Sequence, residues 1–125
     1  MKFGILAGAM LALAPVAATA MPVSTFLAKA DKLQKKGALA MFSGDLKLLM
    51  GQVKTDAAEL RAENKAAEAA GKRKAYCTAP GGVKMSNRDI LAAMNAVPPA
   101  QRAKTSTRDA LRAYFAHRFP CPVKA

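Results

Sequence analysis

The stretch SNRDILAAMNAVPPAQRAKTSTRDALRAYFAHRFPC, residues 86–121, decides the fold. It carries one local signal twice. Ser86-Asn87-Arg88-Asp89-Ile90-Leu91 is echoed further on by Ser106-Thr107-Arg108-Asp109-Ala110-Leu111. In each copy a serine hydroxyl can accept from the amide three residues later, and the aspartate there reaches back or meets the positive end of a helix. Two short helices are therefore predicted, over roughly 87–95 and 107–118, separated by Pro98-Pro99, which cannot continue a helix. Ile90, Leu91 and Met94 form the apolar face of the first helix. Leu111, Tyr114, Phe115 and Phe119 form that of the second. Good capping chemistry recurs for its own reasons, so the echo does not establish a duplication.

Upstream, Cys77-Thr78-Ala79-Pro80-Gly81-Gly82 reads as a loop from its Pro and Gly content. Before it lies the longest helical signal. Ser43 caps it, Asp45 sits in its first turn, and Leu46, Leu49, Met50, Val53, Ala57 and Leu60 make one stripe. From Ser43 to Ala70 such a helix would run about 40 Å. Beyond Leu60 the pattern fades into Ala, Glu and Lys, which favour helix but bury little. That half is expected to project from the core or to meet a partner, and Gly71-Lys72-Arg73-Lys74 ends it. A first helix, capped by Ser24 or Thr25, carries Phe26, Leu27, Ala30 and Leu33 on one face. Lys35 and Lys36 suit its negative end, and Gly37 stops it. Ala38 to Phe42 is a short apolar connector. No run alternates with the period of a strand. The fold class is therefore all-α: a small helical domain over 21–125 with one long helix, 43–70, and a C-terminal helical pair within 76–122.

The first twenty residues read as an export signal. Met1-Lys2 is a short positive region, Phe3 to Ala14 is apolar, and Ala18-Thr19-Ala20 places small residues where a signal peptidase reads. Cleavage is expected before Met21. An uncleaved membrane anchor is the competing reading, and Pro15 interrupts it. A periplasmic or secreted location follows. Such compartments oxidise thiols, and two cysteines, Cys77 and Cys121, permit one intramolecular pairing. That bond would tie the start of the C-terminal helical pair to its finish. A free or intermolecular thiol pair is the alternative. A metal site lacks any ligand spacing, since the chain has one histidine, His117.

Cleavage removes only Lys2 from the charged residues, so +12 becomes +11. Leu, Ile, Val and Phe number 19 among residues 21–125, below the roughly 20% that, at high net charge, shades toward disorder. A core this thin calls for a covalent staple, a partner or self-association into a homo-oligomer. The basic residues include a candidate patch, Lys72, Arg73, Lys74, Arg108 and Arg112, within a field that attracts polyanions. Nucleic acid is not the expected target. The export signal argues against it, and no aromatics interleave the basic residues to stack on bases. Phospholipid or lipopolysaccharide head groups, acidic glycans or an acidic protein surface remain, beside plain solubility charge, which the scatter of the Lys and Arg along the chain favours.

Chemistry is not favoured, and neither a catalytic residue nor a cofactor is expected. His117 sits beside Arg118 in the last turn of a helix, where a cation complements the dipole. Glu59 and Glu63, one turn apart, read as a solvated face. Neither cysteine has a neighbouring base that would make it a nucleophile. Met21, Met41, Met50, Met85 and Met94 never recur at helical spacing and read as core filler.

Tyr76-Cys77-Thr78-Ala79-Pro80, a helix with Ile90 and Leu91, Val97-Pro98, a helix with Ala110 and Leu111, and Phe119-Pro120-Cys121 follow in that order. This pattern, over residues 76–122, resembles Tai-type periplasmic immunity proteins. The resemblance implies a small all-α exported protein with a structural disulfide that binds and blocks a toxic cell-wall amidase. The long helix has no counterpart in that pattern. The outline is also similar to small periplasmic acid-stress chaperones, although this basic chain has few carboxylates from which to build an acid-triggered seam. The working expectation is an exported, non-enzymatic protein-protein interaction module. The competing readings are a cationic binder of anionic envelope components and a small periplasmic chaperone.

Overall fold

The computed structural model describes residues 21–79, 82 and 84–123, so the expected export signal at 1–20 lies outside the described residues. Among the described residues, four α-helices account for nearly all the regular structure: α1 (Val23–Lys36), α2 (Gly44–Ala69), α3 (Asn87–Asn95) and α4 (Thr107–Arg118). A 3-10 turn, Gly37–Phe42, joins α1 to α2, and a shorter one, Pro99–Gln101, lies between α3 and α4. No strand is present among the described residues, only an isolated bridge between Pro22 and Ser106. The all-α expectation is borne out, with α3 and α4 at their predicted bounds.

The capping chemistry explains those bounds. Ser86 closes a full capping box with Asp89: its hydroxyl accepts from the Asp89 amide, and the Asp89 carboxylate accepts from the Ser86 amide at 3.0 Å. Ser106 makes the first half of the box at 3.1 Å, while Asp109 turns its carboxylate to Arg112. Ser43 caps α2 by accepting from the Asp45 amide at 3.2 Å. Gly37 follows α1 with φ +58°, a backbone conformation that glycine adopts without a Cβ penalty.

One expectation fails at α1. Neither Ser24 nor Thr25 caps it; the helix starts at Val23, after Pro22 in extended conformation. The reason is tertiary. The amides of Val23 and Ser24 donate to the carbonyls of Thr105 (2.9 Å) and Arg102 (3.0 Å), and the Thr107 amide returns to the Met21 carbonyl (2.8 Å). The loop before α4 thus satisfies two of the free donors of α1, in place of a side-chain cap.

The core forms where the four helices meet. Phe26 and Leu33 from α1, Leu49 and Leu60 from α2, Met94 from α3, and Leu111 and Phe115 from α4 are buried in one cluster. Helix α4 lies against both α2 and α3. Its contacts with α2 climb in step, from Asp56–Thr107 to Glu63–Arg112, so the two helices run in the same direction. Cys77 and Cys121 form a disulfide. Beside it the Cys77 amide donates to the Phe119 carbonyl at 2.9 Å, and the buried Tyr76 ring stands 5.0 Å from that of Phe115.

The second half of α2 does not project freely. Arg112 grips Glu63 through two nitrogens, at 2.7 and 3.0 Å. Asn64 holds the returning chain, donating to the Tyr76 carbonyl (3.1 Å) and accepting from the Ala75 amide (3.2 Å). Polar contacts replace the apolar stripe there, which is why hydrophobic periodicity alone misjudged it.

Candidate functional site

Three of the helices leave a groove open between them. Phe26, Ala30 and Leu33 of α1 form one wall, and Leu46, Leu49, Met50 and Val53 of α2 the other. Ile90 and Leu91 close one side from α3. The cavity measures about 220 Å³ and is lined almost wholly by carbon. It exists because the apolar stripes of α1 and α2 are wider than the surface each can bury against the other. Met50, at the lip, is 52% exposed, and Met41, in the 3-10 turn, is 76% exposed. Both depart from the core-filling role read from sequence, which Met94 does fill.

The rim of this groove is basic. Lys47 and Lys54 lie three residues before and four after Met50, the spacing that makes neighbours on one helix face. Arg88 stands in the same relation to Leu91 on α3. None of the three has an ion-pair partner among the described residues. Every carboxylate side chain, by contrast, is engaged. Asp45 pairs with Lys29 and Asp31 with Lys35; Glu68 is within 3.8 Å of Lys74; Asp89 pairs with Arg118. Glu59 pairs with Arg108, and Glu63 and Asp109 with Arg112. Asp56 is buried. The protein therefore presents apolar and positive surface with its negative charge consumed internally.

The candidate basic patch divides in two. Lys72, Arg73 and Lys74 gather beside the disulfide, around an open cavity of about 700 Å³ that Cys77 and Cys121 also line. Arg108 and Arg112 face α2 instead and spend their charge on Glu59 and Glu63 at 2.8 and 2.7 Å. The same pairs correct the reading of Glu59 and Glu63 as a solvated face: their one-turn spacing on α2 matches that of Arg108 and Arg112 on α4. His117 is exposed in the last turn of α4. No group of three metal-ligating side chains occurs among the described residues. No helix among them is long and apolar enough to cross a membrane.

Asp56, which sequence reading passed over, anchors the α2–α4 seam. Its carboxylate is 1% exposed and accepts from the Thr107 hydroxyl at 2.6 Å and the Gln52 amide at 2.9 Å. Its position among the apolar residues of the stripe was the available signal. Burial pushes its carboxyl above the ordinary range, while the Thr107 and Gln52 hydrogen bonds pull it down. The folded state then holds a proton where the unfolded chain has released it, so this group costs stability as pH rises from the ordinary carboxyl range through the raised value. Asp89 acts in the opposite sense. Its hydrogen bonds from Ser86, backbone then side chain, and from Arg118 hold it down to about 2. Its contribution is complete above the ordinary carboxyl range and is lost as pH falls through about 2.

Two substitutions separate these effects. Thr107→Val should cost about 2 kcal/mol, because it leaves a buried carboxyl oxygen of Asp56 without its hydrogen-bond donor. Asp56→Asn should be more stable than the natural chain at neutral pH, since a hydroxyl and a flipped glutamine amide can serve the new side chain. That advantage should shrink as pH falls toward about 4, where the unfolded carboxyl also takes up its proton. Denaturation midpoints across this range check both; an Asp56→Asn advantage independent of pH would contradict the burial argument.

No family model, curated protein or solved structure matches the chain.

Proposed function

We propose that this chain is an exported, non-enzymatic interaction module that binds a protein partner in the groove between α1, α2 and α3. The groove itself carries the reading: an apolar trough with a basic rim suits an amphipathic segment with acidic flanks. The apolar floor supplies affinity, and the lysines speed encounter and select against basic competitors. Export is supported by the pattern of residues 1–20, and the Cys77–Cys121 disulfide suits an oxidising compartment. The fold engages from Met21 onward, so cleavage before that residue would leave its contacts with α4 intact. The resemblance of residues 76–122 to Tai-type immunity proteins suggests the partner: a toxic cell-wall amidase, bound and blocked.

Met50→Glu tests the groove. Met50 is half exposed, so folding should survive while a negative charge stands in the trough. The processed protein is used to capture partners from an oxidising extract of its own cells, at moderate and high salt. One stoichiometric protein that survives high salt and is lost with Met50→Glu is the expected result. Equal capture by the variant, or recovery only of lipid or glycan released by salt, would remove the groove from the function.

A further inference from the structure

The groove does not account for one run of highly exposed apolar residues. Leu39, Met41 and Phe42 are 71%, 76% and 90% exposed, and all three lie in the 3-10 turn between α1 and α2. None of them lines the groove. The sequence GALAMF contains no polar side chain, and no residue of this turn is buried. A surface connector normally carries polar residues, because leaving such side chains in water gains nothing.

The charges around the turn are equally one-sided. Lys36 is the last residue of α1, and Lys47 lies in the first turn of α2, so the two flank the apolar tip. Neither has an ion-pair partner among the described residues, whereas the nearby Asp31 and Asp45 are already paired with Lys35 and Lys29. Nothing negative is left free beside the tip.

We infer that the Gly37–Phe42 turn is a membrane-docking tip. Leu39, Met41 and Phe42 enter the acyl boundary of an anionic phospholipid surface while Lys36 and Lys47 meet its head groups. Such a surface offers both chemistries at once: hydrocarbon for a projecting apolar tip, and a sheet of negative charge for the flanking lysines. A second copy of the chain would cover the apolar residues but would bring two strongly positive molecules together. An acidic protein face would answer the lysines and leave the protruding apolar side chains against polar groups. Three apolar side chains and two lysines make a reversible anchor, which would hold the groove near the membrane face without spanning it.

The test is co-sedimentation of the processed protein with vesicles of phosphatidylcholine, with and without phosphatidylglycerol. Binding should require phosphatidylglycerol. Phe42→Ser should weaken it roughly tenfold, the change expected for exposing one large apolar side chain. Lys36→Gln with Lys47→Gln should weaken it by roughly an order of magnitude or more. Because these side chains are exposed, thermal midpoints should not move, so lost binding cannot be lost folding. Met50→Gln, which makes the groove lip polar without setting a negative charge one turn from Lys47, should leave vesicle binding intact, so either reading can fail alone. No binding to phosphatidylglycerol vesicles, equal binding to both vesicle types, or unchanged binding by Phe42→Ser would each overturn the proposal.

Discussion

Replacing Cys77 and Cys121 together by serine should destabilise the protein by about 4 kcal/mol and free its C-terminal helical pair. The bond spans a sequence separation of 44, and closing a loop of that length restricts the unfolded chain by about this amount in the chain-entropy model. Native-state contacts make the effect local as well as global. Tyr76 is buried against Phe115, and the Cys77 amide pairs with the Phe119 carbonyl. Without the bond, residues 75–79 would depend on Asn64 and those contacts to stay against α2 and α4. A domain of this size has about 5–15 kcal/mol in all, so the staple supplies a large share. Denaturant unfolding under oxidising and reducing conditions measures it. Reductant should bring the natural chain down to the variant and leave the variant unchanged. Coincident midpoints for the oxidised natural chain and the variant would show that the bond is dispensable.

Leu111→Ala should cost about 3 kcal/mol, in the range of leucine truncations at fully buried sites. Leu111 is 0% exposed, on the helix that packs against both α2 and α3. A cavity there is walled on several sides, so one neighbour cannot collapse to fill it. The core rings of Tyr76 and Phe115, with Phe119 packed against the same cluster, are themselves linked, 5.0 to 6.3 Å apart, and resist rearrangement. The expected loss is read as a fall in denaturation midpoint at unchanged slope. Phe42→Ser, with a larger side chain but 90% exposure, should lose almost nothing. If Phe42→Ser lost as much stability as Leu111→Ala, the assignment of Phe42 to an exposed tip would be wrong.

The comparison of α1 with α3 explains how far local patterns reach. At α3 the capping groups are Ser86 and Asp89, three residues apart, and their pairing predicts the helix correctly. At α1 the donors are satisfied by Arg102 and Thr105, far along the chain, and a local reading places the cap on the wrong residues. The long helix divides in the same way. Its stripe to Leu60 announces itself through apolar spacing, whereas Glu63 and Asn64 are ordinary surface residues until Arg112 and Tyr76 meet them.

The candidate site was half visible. Ala38 to Phe42 stands out in the sequence as an apolar run between a glycine stop and a serine cap, but only its exposure in the fold turns a connector into a surface. Leu46, Met50, Ile90 and Leu91 carry the periodicity of core residues. Periodicity reports which face is apolar and says nothing of whether enough partner surface exists to cover it.

By itself, the sequence determined the helical class, the bounds of α3 and α4, the glycine stop after α1 and the sole intramolecular cysteine pairing, because each depends on residues within a few positions or on a count of two. Tertiary structure decided which charges are free, which apolar stripes are filled and where the buried carboxylate sits. Those depend on what stands opposite each side chain: Arg108 and Arg112 become structural because Glu59 and Glu63 face them, and the groove stays open because no element among the described residues fills the space where α1, α2 and α3 meet.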